Sequence, residues 1–224
     1  METPDFKKIA AQLRNPSGED GLGTADRMEE NNAGMIRACI DQLSLNDGNS
    51  VLEIGFGGGG HLPYLLELAQ GLRYQGVDIS ETMTKRAKEV NRDAVAAGRA
   101  TFQTVLPQNG SVTFPFEADT FDCIFTVNTI YFWDNALVQA QEISRVLKPG
   151  AVFIVAFATE EFMKDLPFTQ YGFHLYSIAK ARTLMEEAGF IIKDVTEKTE
   201  IVMSNGGPLM ERTFILLSVS KKPQ

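Results

Sequence analysis

Glu53 stands two residues before the first glycine of a run that reads Gly55-Phe56-Gly57-Gly58-Gly59-Gly60. Glycines that follow an apolar segment let a ligand approach bare backbone. The free N–H groups at the start of the next helix add a favourable field there. A carboxylate at Glu53 would meet an ammonium group well and a pyrophosphate badly. Asp78 comes roughly twenty residues beyond the glycines, where a carboxylate accepts both hydroxyls of a ribose. Gly55, Gly57 and Gly60 also satisfy the dinucleotide fingerprint, a weak match when it stands alone. The chemistry on offer is capture of a nucleoside that carries either an amino-acid-like tail or a second nucleotide.

The elements that must position these residues alternate between strand and helix. Val51 to Ile54 reads as a short apolar strand, and the glycines open a helix from about His61 to Gln70. Tyr74 to Asp78 is a second strand. A helix follows from Glu81 to Ala97, capped by Ser80, with Met83, Ala87, Val90 and Ala94 on one face. Ala100 to Val105 is a weaker third strand, and Asp122 to Val127 is a buried fourth. Asp134 is placed to cap a helix that turns Leu137, Ala140, Ile143 and Leu147 inward, and Lys148-Pro149-Gly150 stops it. Ala151 to Phe157 is a fifth strand whose unbroken apolar run suits burial on both faces. A helix from Ser177 to Ala188 precedes two last strands, near Phe190 to Met203 and Arg212 to Ser220, joined through Ser204-Asn205-Gly206-Gly207-Pro208.

Alternation of this kind predicts an α/β fold: a Rossmann-like, mostly parallel seven-stranded sheet with helices on both faces and a C-terminal antiparallel hairpin. Before the first strand, residues 1–24 carry turn chemistry (Asn15-Pro16-Ser17-Gly18, then Gly21 and Gly23). The spacing of Met35, Ile36, Cys39, Ile40 and Leu43 predicts a helix over 26–43, so the chain should begin with a helical cap. The whole is expected to form one domain, 1–224. It divides into a cap (1–47), a donor-binding core (48–157), a substrate lid (158–176) and a C-terminal helix with the hairpin (177–224).

Composition narrows the partners. The formal charge is −8 with Lys and Arg scattered, so a nucleic-acid partner is not expected. No apolar run approaches the ~18 residues that span a bilayer, and the N-terminal residues lack the basic-then-apolar order of a secretory signal. A cytoplasmic protein is expected. Cys39 and Cys123, the only cysteines, lie in apolar surroundings and should pack as small hydrophobes. Two histidines and two cysteines without a cluster predict no metal site.

Five stretches together resemble one family. Val51 to Gly59 looks like the first motif of the class I S-adenosylmethionine-dependent methyltransferases, in the broad group of the ubiquinone and menaquinone biosynthesis enzymes. Gly76-Val77-Asp78-Ile79-Ser80 is similar to their second-strand motif. Phe114-Pro115-Phe116 with Asp119-Thr120-Phe121-Asp122 resembles the approach to the fourth strand. Glu142 to Gly150 looks like the helix and turn before the fifth, and Glu187-Ala188-Gly189-Phe190 like the late helix ending. The resemblance covers residues 48–220, and order and spacing make it specific where each piece alone is not.

The resemblance implies S-adenosylmethionine as cofactor and a role for each matching position. Glu53 with the backbone of Gly55, Gly57 and Gly59 would hold the amino-acid end, and Asp78 the ribose. Ile79 and Met83 would pack on adenine, and Asn128 would lie near the carboxylate and methyl group. The family carries an acidic residue that reads the adenine amino group, but Leu106 to Thr113 has no carboxylate. Asn109, or else Ser111, is the substitute expected there.

Methyl transfer from a sulfonium needs mainly alignment and exclusion of water. The acceptor is expected to be a small apolar or aromatic molecule, lined by Tyr131, Trp133, Phe168, Tyr171 and His174, with His174 the candidate base by location. His61, at a helix start, is expected to shape the loop and to resist protonation. The N-terminal segment, with Arg14 to Gly18, Met28 and Asn31-Asn32, resembles one in bacterial relatives and should fold over the donor. Three other readings stay open: methylation of protein or RNA, a nicotinamide reductase, and a non-catalytic donor binder. Acceptor atom and oligomeric state are not legible.

Overall fold

The computed structural model describes residues 4–203 and 209–222. Two helices, α1 (Phe6–Arg14) and α2 (Gly18–Asp41), precede β1 (Ser50–Ile54). Then come α3 (Leu62–Glu67), β2 (Arg73–Asp78), α4 (Glu81–Val90), α5 (Arg92–Ala96), β3 (Ala100–Thr104) and β4 (Phe121–Val127). A 3₁₀ turn at Ile130–Phe132 leads to α6 (Ala136–Val146), β5 (Leu147–Ala158), α7 (Glu160–Met163), α8 (Ile178–Glu187), β6 (Phe190–Met203) and β7 (Leu209–Lys221). The seven strands form one sheet in the order β3-β2-β1-β4-β5-β7-β6. The first five are parallel, and β7 runs antiparallel to both β5 and β6.

Alternation along the central strands divides the core into two layers. Leu52, Ile124, Phe153, Val155 and Leu217 point to the side that holds Ala140 and Ile143 of α6 and Ala181 and Met185 of α8. Val51, Cys123, Phe125, Ile154 and Leu216 point to the other, against Met35, Cys39 and Ile40 of α2 and Met83 and Ala87 of α4. Residues 123–127 of β4 and 153–158 of β5 are buried on both faces, which accounts for their nearly unbroken apolar runs. Both thiols lie inside the second layer with their pKa pushed up by burial, that of Cys123 to about 12.

Several local expectations are corrected. The helix expected over 26–43 starts at Gly18, so Gly21 and Gly23 lie within it. The long helix after β2 breaks at Asn91, whose buried carboxamide donates to the Gly59 and Ala87 carbonyls at 2.9 and 3.0 Å. Val90, the last residue of α4, is exposed. Asn135, not Asp134, caps α6, accepting from the Val138 N–H, because Asp134 pairs instead with Arg14 at 2.5 Å. Leu137 is exposed and Leu147 already belongs to β5, so the inward face of α6 is Gln139, Ala140, Ile143 and Val146. The turn expected at 204–208 lies outside the described residues.

The sheet order reverses between β1 and β4, and ligands in such sheets bind at the carboxyl ends beside that point. Only residues 214–220 of β7 pair with β5, whereas its pairing with β6 continues out to Met203 and Leu209. The hairpin therefore overshoots the sheet on the same side as the crevice.

Candidate functional site

Gly55 leaves β1 with φ +76°, and its N–H donates to the Val77 carbonyl at 2.8 Å. A Cβ there would stand 2.3 Å from Thr129 Cγ2, so only glycine fits the close passage between the exits of β2 and β4. Gly57 N–H donates to Asp78 Oδ2 at 3.3 Å, and Ser80 N–H to Oδ1 at 2.8 Å. Burial pushes the Asp78 carboxyl up to about 6, against the lowering effect of the Ser80 and Gly57 N–H donors, with Glu53 adding a further raise.

Glu53 is 2% exposed at the floor of the crevice. Tyr74 donates its hydroxyl to Oε2 at 2.5 Å, and His61 Nε2 lies 2.7 Å from the same oxygen. Both contacts fall on one oxygen, so Oε1 keeps its acceptor capacity for a ligand among the described residues. His61 is a correction: burial works against its charged form, but the Glu53 carboxylate, helped by Glu29, outweighs burial and raises its pKa. The sequence hid this pair, because His61 and Tyr74 reach Glu53 only across the folded loop.

Asn128 sits just past β4 at φ +57°, its N–H bonded to the Ala156 carbonyl. Its side chain donates to Asn32 Oδ1 at 3.1 Å and accepts from the Tyr131 hydroxyl at 3.1 Å. Asn32 comes from α2, so the cap contributes directly to the crevice. Arg86 of α4 holds the cap from below, paired with Asp26 at 2.5 Å and Glu29 at 3.6 Å. Ser80 ties it again by donating to the Pro16 carbonyl at 2.5 Å.

These parts enclose a first cavity. Glu53, Gly55, Gly57, Gly59, Asp78, Ile79, Met83, Asn128 and Trp133 all line it. Asn109 does not: it is exposed at φ +53° in a turn that presents Gly110, Ser111 and Val112 to the cavity instead. Gln139 of α6 also lines it and was not legible as a site residue, since its spacing reads as a helix face.

A second cavity adjoins the first, and Leu13, Met28, Asn32, Asn128 and Phe132 line both. Tyr131, Phe162, Met163, Phe168 and Phe173 form one side of it, and Met203, Met210 and Arg212 of the overshooting hairpin another. The segment 158–176 is packed rather than loose. Phe173 meets the rings of Phe132, Phe168 and Tyr131 at 4.6, 5.7 and 5.9 Å, and His174 N–H donates to the Tyr131 carbonyl at 2.9 Å. The His174 side chain lies outward, 56% exposed and 4.0 Å from Asp134. Tyr171 is 41% exposed, and neither residue lines either cavity. Burial holds the Tyr131 phenol well above its ordinary pKa, so it remains a donor, its one proton shared between the Ala158 carbonyl at 2.9 Å and Asn128 Oδ1 at 3.1 Å.

Residues 52–155 match the methyltransferase domain family. The uncharacterized methyltransferase YdaC of Bacillus subtilis is 32% identical over 124 residues, which is 55% of this chain and 64% of that protein. The O-methyltransferase resE of Aspergillus sclerotiorum is 24% identical over 189 residues, 81% of this chain and 67% of that protein. Among solved structures, a chain from the complex of the Haloferax volcanii Trm112 methyltransferase activator with a methyltransferase shares the fold. Its TM-score is 0.74 at 19% identity, over 99% of this chain and 100% of that one. The glycine crevice, the strand order and these matches agree on a methyltransferase domain at residues 52–155, with the fold that the class I S-adenosylmethionine-dependent methyltransferases share.

Proposed function

We propose that this protein methylates a small apolar acceptor held in the second cavity, with S-adenosylmethionine held in the first. The observation that carries this reading is the shared wall: Asn32, Asn128 and Phe132 line both cavities, so a donor and an acceptor would meet there. The first cavity fits the donor on its own geometry. Glu53 Oε1 is left to accept from an ammonium, the Gly55 and Gly57 backbone suits the attached carboxylate, and Asp78 is placed to accept from ribose hydroxyls. Ile79 and Met83 give the base an apolar bed.

The donor supplies a methyl group already activated on a sulfonium. What the chain contributes is alignment and dryness. Asn128 and Tyr131 set the polar edge of the junction, and Phe132, Met28 and Leu13 exclude water around it. Among the described residues lining the second cavity there is no carboxylate, histidine or lysine. On this reading the acceptor atom is one that needs no base from these residues: an uncharged amine, an electron-rich carbon or an oxygen already ionised. His174 has no part in this reading.

Turnover of labelled donor against a panel of apolar acceptors tests it. Phe168→Ala and Phe162→Ala should raise acceptor KM by about tenfold, through loss of an aromatic wall, while the Kd for S-adenosylhomocysteine stays within twofold. Tight donor-product binding with no transfer to any acceptor would overturn the reading, and so would an unchanged KM in both variants.

A further inference from the structure

Gln139 is 4% exposed, and its Nε2 is a buried donor with no hydrogen-bond partner among the described residues. The orientation of the carboxamide is fixed. Its Oε1 accepts the Val112 N–H at 2.8 Å, and only the oxygen of an amide can accept, so Nε2 must be the free end. Buried amide donors are almost always satisfied, and leaving one unpaired is costly. Gln139 lines the first cavity, so a ligand there is the partner the geometry leaves room for.

Sheet order says which part of the ligand this is. The exit of β3 lies beside the exit of β2, on the side of Asp78 away from β4 and Asn128. A nucleoside held by its ribose at Asp78 extends its base toward Val105, Pro107, Ser111 and Val112. Gln139 is tied to that segment through Val112. No carboxylate occurs in residues 106–113 to meet the base. Purine ring nitrogens are acceptors, and Nε2 has two protons to donate.

We infer that Gln139 reads the adenine of the donor, its Nε2 donating to a ring nitrogen of the base. The inference rests on the first cavity being the donor site. Val112 is then a positioning residue, holding the carboxamide with its donor end toward the ligand.

The test measures S-adenosylhomocysteine and its 1-deaza, 3-deaza and 7-deaza forms by calorimetry, on the unaltered protein, Gln139→Met and Gln139→Glu. The unaltered protein should bind one deaza form about tenfold more weakly than the parent. Gln139→Met should bind the parent about tenfold more weakly and no longer discriminate against that deaza form. Gln139→Glu keeps the acceptor for Val112 and replaces the donor with an acceptor, so it should lose at least as much. Equal parent affinity in Gln139→Met, persistent deaza discrimination in it, or tighter binding by Gln139→Glu would overturn the inference. No binding of the parent by the unaltered protein would instead remove the donor-site reading on which it stands.

Discussion

At the scale of single residues, the two carboxylates of the crevice face different electrostatic problems. Glu53 is buried and shared between Tyr74 and His61 on one oxygen. Charge-assisted hydrogen bonds contribute about 1.5–3 kcal/mol, so Glu53→Gln should weaken S-adenosylhomocysteine binding by about 10- to 100-fold. Trp133, the only tryptophan, lines the same cavity and gives a fluorescence readout. Asp78 is held at about 6, above its ordinary 3.8, so the fold favours its neutral form. Its contribution to stability is therefore complete below about pH 4 and is lost as the pH rises through 6. On the proposed reading donor binding has the opposite sign, because accepting from two ribose hydroxyls needs the carboxylate. Donor affinity should fall as the pH drops below about 6, and Asp78→Asn should bind weakly at every pH. A flat profile in the unaltered protein would count against Asp78 as the ribose ligand. Glu53 and Asp78 were legible because strand, glycines and strand fix their positions within a short stretch of chain. His61, Tyr74 and Gln139 were not, since each acquires its role from a partner that only folding brings near.

At the scale of elements, the glycine loop shows why helix limits were harder to read than helices. Periodicity gave one helix from Glu81 to Ala97, but Asn91 spends its carboxamide on the Gly59 carbonyl, and the helix breaks there. A residue that looks neutral along the helix thus anchors the ligand loop from below. Asn91→Ala leaves that carbonyl with the Leu62 N–H alone, at 3.2 Å, and should cost about 1 kcal/mol, read as a lowered Tm, with weaker donor binding. Full stability in this variant would show the bond to be incidental. Strand positions were read more accurately than helix faces because β1, β4 and β5 are buried on both sides, and a continuous apolar run needs no phase. The face of α6 was misassigned at Leu137, where an apolar residue lies in the light although the period places it inward.

At the scale of the whole molecule, the cap and the terminal hairpin meet at one buried guanidinium. Arg212 pairs with Glu200 of the neighbouring strand at 2.6 Å and donates to the Asn31 carbonyl at 2.6 Å and to Asn32 Oδ1 at 3.0 Å. Asn32 in turn accepts from Asn128, so the chain closes on itself at the junction of the two cavities. Sequence could supply neither end of this link: Arg212 reads as one more residue of an edge hairpin, and Asn32 lies 180 positions away. Arg212→Leu removes the buried partner of a partly exposed Glu200, leaves that carboxylate uncompensated and should cost about 3 kcal/mol. Replacing both, Arg212→Leu with Glu200→Leu, exchanges the pair for apolar contact and should recover most of that stability. Turnover should not recover with it, because Asn31 and Asn32 lose the group that holds them against Asn128. Thermal melts and single-turnover methyl transfer on the single and double variants separate the two effects. A double variant that regains both stability and rate would mean that Arg212 serves the fold alone and that the junction keeps its shape without it.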